Sequence, residues 1–292
     1  MYFKEFEAMN VQLDCIFCIQ RQAFEAVRLA TIDVKKQEKI LKVVMAKLLE
    51  INWNSSPPDI ADVVYNIIRK ESKEDDPYKI IKKECNDIAL RMYPELKRIV
   101  DQSATPLLTA ARLAIAGNVI DYGTGNFDIN KTISLELGNK FRIDHFSEFV
   151  NILEKAENLV YLTDNAGEIV FDKILLETII SKYKFNNIFC AVKVTPFIND
   201  TTLQDAEYVG IDSLPGVEIL NIGVDGNGLD HSGKTFTDII AENNMIISKG
   251  QRNYETLPDN EKIFHLLIAK CPFIAKELGV QQGDFILKRG SG

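Results

Sequence analysis

From Phe146 onward the apolar residues switch repeatedly between a long period and a short run, and this alternation limits the fold more than any other feature of the chain. Phe146 to Ala156 reads as a helix and Asn158 to Thr163 as a strand. Gly167 to Tyr183 is again helical and Asn187 to Val194 extended. Thr201 to Val209, Val217 to Ile222, Lys234 to Glu242 and Met245 to Ser248 continue the pattern. Phe264 to Ala269 and Phe285 to Lys288 complete it as two further strands. Strands that alternate with helices imply βαβ units and a mainly parallel sheet covered on both faces. The fold class expected is α/β, a Rossmann-like α/β/α sandwich.

The preceding residues carry no strand signal. Ile40, Leu41, Val44 and Leu48 repeat at helical spacing, as do Ile60, Val63, Ile67 and Ile68 after the break at Ser55-Ser56-Pro57-Pro58. A helix with Ile80, Ile81, Ile88 and Leu90 is expected to end near Tyr93-Pro94. Leu107 to Ile120 is apolar and alanine-rich, as a buried helix would be. The expected organisation is an all-helical N-terminal lobe, residues 1–145, and an α/β domain, residues 146–292.

The strand from Leu159 to Leu162 runs into Asp164-Asn165-Ala166-Gly167-Glu168. It therefore puts a carboxylate and an amide at a strand's carboxyl end, the edge where open α/β sheets bind ligands. Taken alone, either residue can simply cap the following helix. The other strands change the balance. Lys193, Asn199 and Asp200 follow the second, a glycine-rich stretch from Gly223 to Gly228 the third, Lys249 to Tyr254 the fourth, and Lys270 and Cys271 the fifth. In a parallel sheet these ends lie side by side, whereas independent caps need not share an edge. Asp164, Asn165 and Asp200 offer hard oxygen ligands for one divalent cation. Lys249 and Lys270 add positive charge for an anionic ligand. Metal, lysines and exposed backbone N–H groups together suit a phosphoryl group.

Other chemistries find little support. The net charge of −8, without a basic cluster, argues against nucleic acid or an anionic membrane as partner. No run of about 18 apolar residues is present, and MYFKEFEAMN lacks the marks of a signal peptide, so a cytoplasmic protein is expected. Five cysteines in 292 residues are no disulfide framework. Cys15 and Cys18 form one CxxC without a second, which leaves a structural role, a second metal or a redox pair open. Glycines after the third strand do not spell the dinucleotide fingerprint, and neither a P-loop nor a GxSxG elbow occurs. His145, His231 and His265 stand apart. Asn118 and Asp121, at the end of a buried helix, belong either to an internal hydrogen-bond network or to a wall of the site. Asp205, on the helix after Asp200, is either a partner standing behind the metal ligands or an ordinary solvated residue, and the solvated reading is preferred.

Three ordered motifs carry a resemblance: DNAGE from Asp164, KVTPFINDTTLQDA from Lys193 and KGQRNYE from Lys249. PPDIADVVYNIIR, DPYKIIKKECN and PLLTAARLAIAGNVIDYG extend it over most of the chain. Together they resemble the damage-control metal phosphatases, a former domain of unknown function (number 89), and the CxxC resembles their stand-alone prokaryotic and archaeal branch. The resemblance implies a phosphatase that uses one divalent cation (Mn²⁺, Co²⁺, Ni²⁺ or Mg²⁺) on phosphorylated sugars or damaged phospho-metabolites. It puts the metal on Asp164, Asn165 and Asp200, with Asp164 and Asp200 catalytic. It assigns substrate contacts to Lys249, Gly250, Gln251, Asn253, Tyr254 and Lys270, and brings Asn118 near the site. One departure stands out, Arg252 where the family usually has glycine. At a position needing positive φ or close backbone approach it would carry strain; elsewhere it would add charge beside the substrate.

Two alternatives differ in kind. A methyltransferase would bind S-adenosylmethionine on such a sheet, a role once proposed for a eukaryotic branch of the family, but would need no metal. A phospho-metabolite sensor would bind without turnover. Neither the oligomeric state nor the native metal is legible.

Overall fold

A computed structural model describes residues 9–119, 140–223 and 245–291. Its seven described strands form one sheet: β1 (Ile143–Asp144), β2 (Asn158–Leu162), β3 (Asn187–Lys193), β4 (Val217–Ile222), β5 (Met245–Lys249), β6 (Ile263–Ile268) and β7 (Phe285–Arg289), in the order β1-β7-β6-β5-β2-β3-β4. Strands β4, β3, β2, β5 and β6 are parallel neighbours. Strand β7 pairs antiparallel with β6 and carries β1 alongside it in parallel. The mainly parallel α/β sheet expected from the pattern is borne out. Strand β1, too short to show a period, is an addition.

The order places a topological switch at β2. From β2 the chain moves to one side through β3 and β4, then returns on the other side as β5. Connections leaving in opposite directions open a crevice at the carboxyl ends of the flanking strands. Leu159 to Leu162, every residue of β5 and every residue of β6 are buried, as expected of strands covered on both faces.

The described helices are α1 (Leu13–Ala30), α2 (Val34–Leu48), α3 (Pro57–Ser72), α4 (Lys79–Asp101), α5 (Pro106–Ala116), α6 (Phe146–Leu153), α7 (Glu168–Lys182), α8 (Leu203–Val209), α9 (Gln251–Thr256) and α10 (Pro272–Leu278). Helix α3 begins at Pro57 behind a Ser56 cap. The Ser56 hydroxyl accepts from the Asp59 N–H and the Asp59 carboxylate accepts from Ser56 N–H, a reciprocal capping box. Helix α4 does not stop at Pro94 but runs on to Asp101. The proline removes one helical hydrogen bond. Leu96 and Val100 are buried beyond it, and burial of such side chains contributes roughly 1.5–3 kcal/mol each. The expected helix over Lys234 to Glu242 lies outside the described residues.

Two compact units emerge. One comprises Met1–Ile80, Pro196–Asn199 and Glu255–Pro258. Within it α1, α2 and α3 pack on one another, and the Tyr65 ring lies 5.0 Å from Phe197 and 6.4 Å from Tyr78. The other comprises Ile81–Thr195, Asp200–Tyr254 and Asp259–Gly292. The period of the sequence changes at Phe146, yet the unit holding the sheet begins at Ile81. The reason is packing: α5 lies against α7, and Ala89, Met92, Leu96 and Val100 of α4 share one core with the strands.

Candidate functional site

Beyond β2 the chain turns through Asp164 and Asn165 and enters α7 at Gly167, whose φ is +82°. The Gly167 N–H donates to Asn86 Oδ1 at 2.6 Å, and a β-carbon here would lie 3.1 Å from Cys85 Cβ. After β3 the chain comes back to the same place at Asp200. Thr201 N–H donates to the Asp164 carbonyl at 2.8 Å, Lys193 N–H donates to the Thr201 carbonyl at 2.9 Å, and Asn165 pairs with Asp200 in an isolated antiparallel bridge. Two turns from two adjacent strands thus bring Asp164, Asn165 and Asp200 together.

The third wall is the end of β5. Leu162 pairs with Ser248, so the register carries Gly250 up beside Asp164. Gly250 has φ +81°, and a β-carbon built there would sit 2.0 Å from Asp164 Oδ2. Only glycine allows both the backbone angle and the approach. Gly250→Ala is expected to push the Asp164 carboxylate out of place and cut kcat/KM by roughly 10²-fold, the scale of a displaced reacting group. Steady-state kinetics and a melting curve of the variant check this.

Beneath the turns lies a buried polar network. Asn118 Nδ2 donates to Asp164 Oδ2 at 3.0 Å and to Glu168 Oε2 at 2.6 Å; Asn165 Nδ2 donates to the same two oxygens at 2.8 and 3.2 Å. The Lys249 ammonium donates to Glu168 Oε1 and Asp172 Oδ1, both at 2.6 Å, and to the Ala114 carbonyl at 2.8 Å. Tyr161 donates to Asp172 Oδ1 at 2.7 Å. Burial pushes Asp164 up to about 7, and the Glu168 charge adds to the rise. Burial also raises Asp200, while Arg252, Lys193, Lys82 and Lys270 pull it down. Burial alone would depress Lys249, but Asp172 and Glu168 keep its net shift upward, so it stays protonated. Asp200 Oδ2 and Asn118 Oδ1 are buried without a hydrogen-bond partner, which is uncommon for buried polar atoms. Two carboxylates pushed toward neutrality, one of them with an orphaned oxygen, fit a cation held by hard oxygens.

The damage-control phosphatase ARMT1-like domain model matches residues 11–286. The chain belongs to this family. It is 33% identical over 287 residues to the damage-control phosphatase PH1575 of Pyrococcus horikoshii, covering 96% of this chain and 98% of the relative. It is 30% identical over 303 residues to a damage-control phosphatase of Archaeoglobus fulgidus, covering 96% and 99%. An uncharacterized protein of Methanocaldococcus jannaschii, MJ0202, is 33% identical over 293 residues, covering 96% of each. The crystal structure of PH1575, described as a DUF89 family protein, superposes with a TM-score of 0.87 at 31% identity, covering 97% of this chain and all of that one. The expected resemblance and α/β fold are borne out, and so is the reading as a metal-dependent phosphatase.

Within this member of the family several residues stand elsewhere than the sequence suggests. Lys249, expected beside an anionic ligand, has no exposed surface, and its three N–H donors already meet three acceptors. It is part of the floor. Asn253, expected on the substrate, spends its NH₂ on the carbonyls of Thr163 (3.0 Å) and Lys249 (2.7 Å) and accepts from Lys193 Nζ at 3.2 Å. It clamps the ends of β2, β3 and β5. The Tyr254 ring stands edge-on to His265 at 5.0 Å, a packing position. Asp205 is buried in an ion pair with Lys82, not solvated. Arg252 lies within helix α9 and has no positive φ, so the substitution for glycine carries no backbone strain. Gln251 accepts from Lys270 N–H at 3.1 Å and donates to Cys271 Sγ at 3.4 Å, while Lys270 is exposed.

Cys15 and Cys18 lie on α1, in the first unit, and form no disulfide. No group of three or more His, Cys, Asp or Glu among the described residues is arranged to hold a metal; the Asp164–Asn165–Asp200 set falls outside that type because one donor is an amide. Asp121, His231 and residues 224–228 lie outside the described residues.

Sequence reasoning missed Glu168, Asp172, Lys82 and Asn86. A signal for the first pair was present. Two acids four residues apart share one face of EIVFDKILLETII, and that face is buried, whereas Lys173, Glu177 and Ile180 mark the less buried side of the helix. Lys82 and Asn86 sit among charged neighbours in KIIKKECND and could not be told from a wet face.

Proposed function

We propose that the chain hydrolyses phosphomonoesters of small metabolites, sugar phosphates or damaged phospho-metabolites, with Asp164, Asn165 and Asp200 holding one divalent cation. The observation that supports this most is the pair of buried, upward-shifted carboxylates from two adjoining turns, one with an orphaned oxygen. Asn165 spends its NH₂ on Asp164 and Glu168, so its oxygen is the end that would reach a cation. A bound divalent cation supplies charge neutralisation at the phosphoryl oxygens and a more acidic water. Exposed Lys270 adds a positive charge near both carboxylates, where it can pair with the phosphoryl group, with Gln251 bracing the Lys270 backbone. Gly250 gives Asp164 its room, and Asn118 holds it from below. Because both carboxylates serve as ligands, water is the proposed attacking group rather than Asp164 or Asp200.

Mn²⁺, Co²⁺, Ni²⁺ and Mg²⁺ are the proposed metals, and the cytoplasm, where phosphorylated metabolites are handled, is the proposed compartment. No described helix is long and apolar enough to cross a membrane. The test is phosphate release from a panel of sugar phosphates and p-nitrophenyl phosphate by metal-stripped protein, each cation being added in turn. Activity lost on stripping and regained with at least one cation is the expected result. The same cation should stabilise the fold by about 2.7 kcal/mol at a hundredfold excess over Kd, by mass action. Turnover that survives chelation, or a protein that binds the cations yet releases no phosphate from any substrate, would sink the reading.

A further inference from the structure

Two residues after Asn165 and two residues after Asp200, the chain is tied to α4, directly in the first case and through Asp205 in the second. Gly167 follows Asn165 by two positions, and its N–H donates to Asn86 Oδ1 at 2.6 Å. Thr202 follows Asp200 by two, and both its N–H (3.0 Å) and its hydroxyl (2.6 Å) donate to Asp205 Oδ2. The two ties are then joined: Asn86 Nδ2 donates to Asp205 Oδ1 at 3.1 Å, and Lys82 Nζ donates to Asp205 Oδ2 at 3.0 Å. Lys82, Asn86, Thr202 and Asp205 are all buried. Lys82 and Asn86 are one turn apart on α4, so a single rigid element presents both.

Capping alone does not account for this cluster. As the third residue of α8, Asp205 satisfies Thr202 without help. A helix of seven residues does not need an ammonium with 2% exposure and a buried amide behind its cap. Burying such groups is costly unless each meets its partners. What the arrangement adds is a second point of attachment. The two donor-bearing turns already touch through Thr201 N–H and the Asn165–Asp200 bridge. One line of contact leaves them free to hinge about it, whereas a separate anchor for each on α4 removes that freedom. Cations such as Mg²⁺ demand near-ideal ligand geometry.

We propose that Asn86 and Asp205 form a strut that fixes the Asp164–Asn165 turn and the Asp200 turn in register, and that these two positioning residues thereby set the affinity for the divalent cation. The inference rests on the metal site proposed above. Partners of this kind behind metal ligands typically account for 10–100-fold in affinity.

The test is calorimetric titration of Mn²⁺ into the metal-stripped full chain, beside hydrogen exchange of the Gly167 and Thr202 amides without metal. Asn86→Ala and Asp205→Asn should each weaken Mn²⁺ binding 10- to 100-fold and speed exchange at both turns. Leu287→Ala, a cavity in the distant strand β7, should lower the melting temperature while leaving the Mn²⁺ affinity within twofold. If Asp205→Asn does not fold, Asn86→Ala decides, since it leaves the α8 cap intact. A folded Asn86→Ala that binds Mn²⁺ within twofold of the parent overturns the strut. A parent protein that binds no divalent cation overturns the metal site itself, and the strut with it.

Discussion

Asp200→Asn is expected to lower kcat/KM at least roughly 10³-fold, about 4 kcal/mol of transition-state stabilisation, while the metal-free variant melts no lower than its parent. The two halves come from one fact. Asp200 is buried, its Oδ2 meets no hydrogen-bond partner, and burial raises its carboxyl. A charge kept there works against the metal-free fold, because Arg252, Lys193, Lys82 and Lys270 together do not offset its desolvation. An amide of the same shape removes the charge and keeps the volume. It also removes the anionic oxygen that a hard divalent cation requires. A residue kept for stability would behave the opposite way, losing melting temperature before activity. Phosphate-release kinetics at saturating Mn²⁺, with calorimetric melting of the stripped proteins, separates the two. Near-parental turnover in Asp200→Asn would remove it from the ligand set.

The parts of this site that were legible in the sequence are those whose place follows from the backbone alone. A strand that ends in Asp-Asn and a parallel sheet put Asp164 and Asn165 at the carboxyl edge whatever the side chains do. Asp200 follows by the same rule from the next strand. The functions of Lys249 and Asn253 were not legible, because a one-dimensional pattern shows that a residue stands at a strand's end but not whether its side chain turns up to the crevice or down beneath it. Lys249 is the last residue of β5, and the pleat directs it down onto α7, where Glu168 and Asp172 wait one helical turn apart. Asp205 failed for a related reason. Its burial is made by α4, more than a hundred positions earlier, through Lys82 and Asn86. Pro94 misled in the other direction: the rule that proline ends helices is local, and the core beneath Leu96 and Val100 overrode it.

Lys249→Met should destabilise the protein by about 3–5 kcal/mol, the usual cost of leaving a buried carboxylate without its cation. Methionine fills nearly the same space, so little of the loss would come from packing. What disappears is the ammonium that joins Glu168 Oε1, Asp172 Oδ1 and the Ala114 carbonyl, all within 2.8 Å. Two carboxylates would then share a buried pocket with Tyr161, Asn118 and Asn165 as their side-chain donors among the described residues. Since about 1 kcal/mol moves the melting point by roughly 2–4 °C in proteins of 150–250 residues, the fall should be on the order of 10 °C. Adding Asp172→Asn removes one of the two stranded charges and should recover part of it, a coupling that a double-mutant cycle measures. The same experiment tests the competing assignment of Lys249 to the substrate. A lysine on the phosphate would raise KM and leave melting unchanged, whereas a lysine in the floor lowers melting first. It affects the reaction only through Glu168, whose other oxygen holds Asn118 and Asn165 against Asp164. Unchanged melting with a raised KM for p-nitrophenyl phosphate would return Lys249 to the crevice.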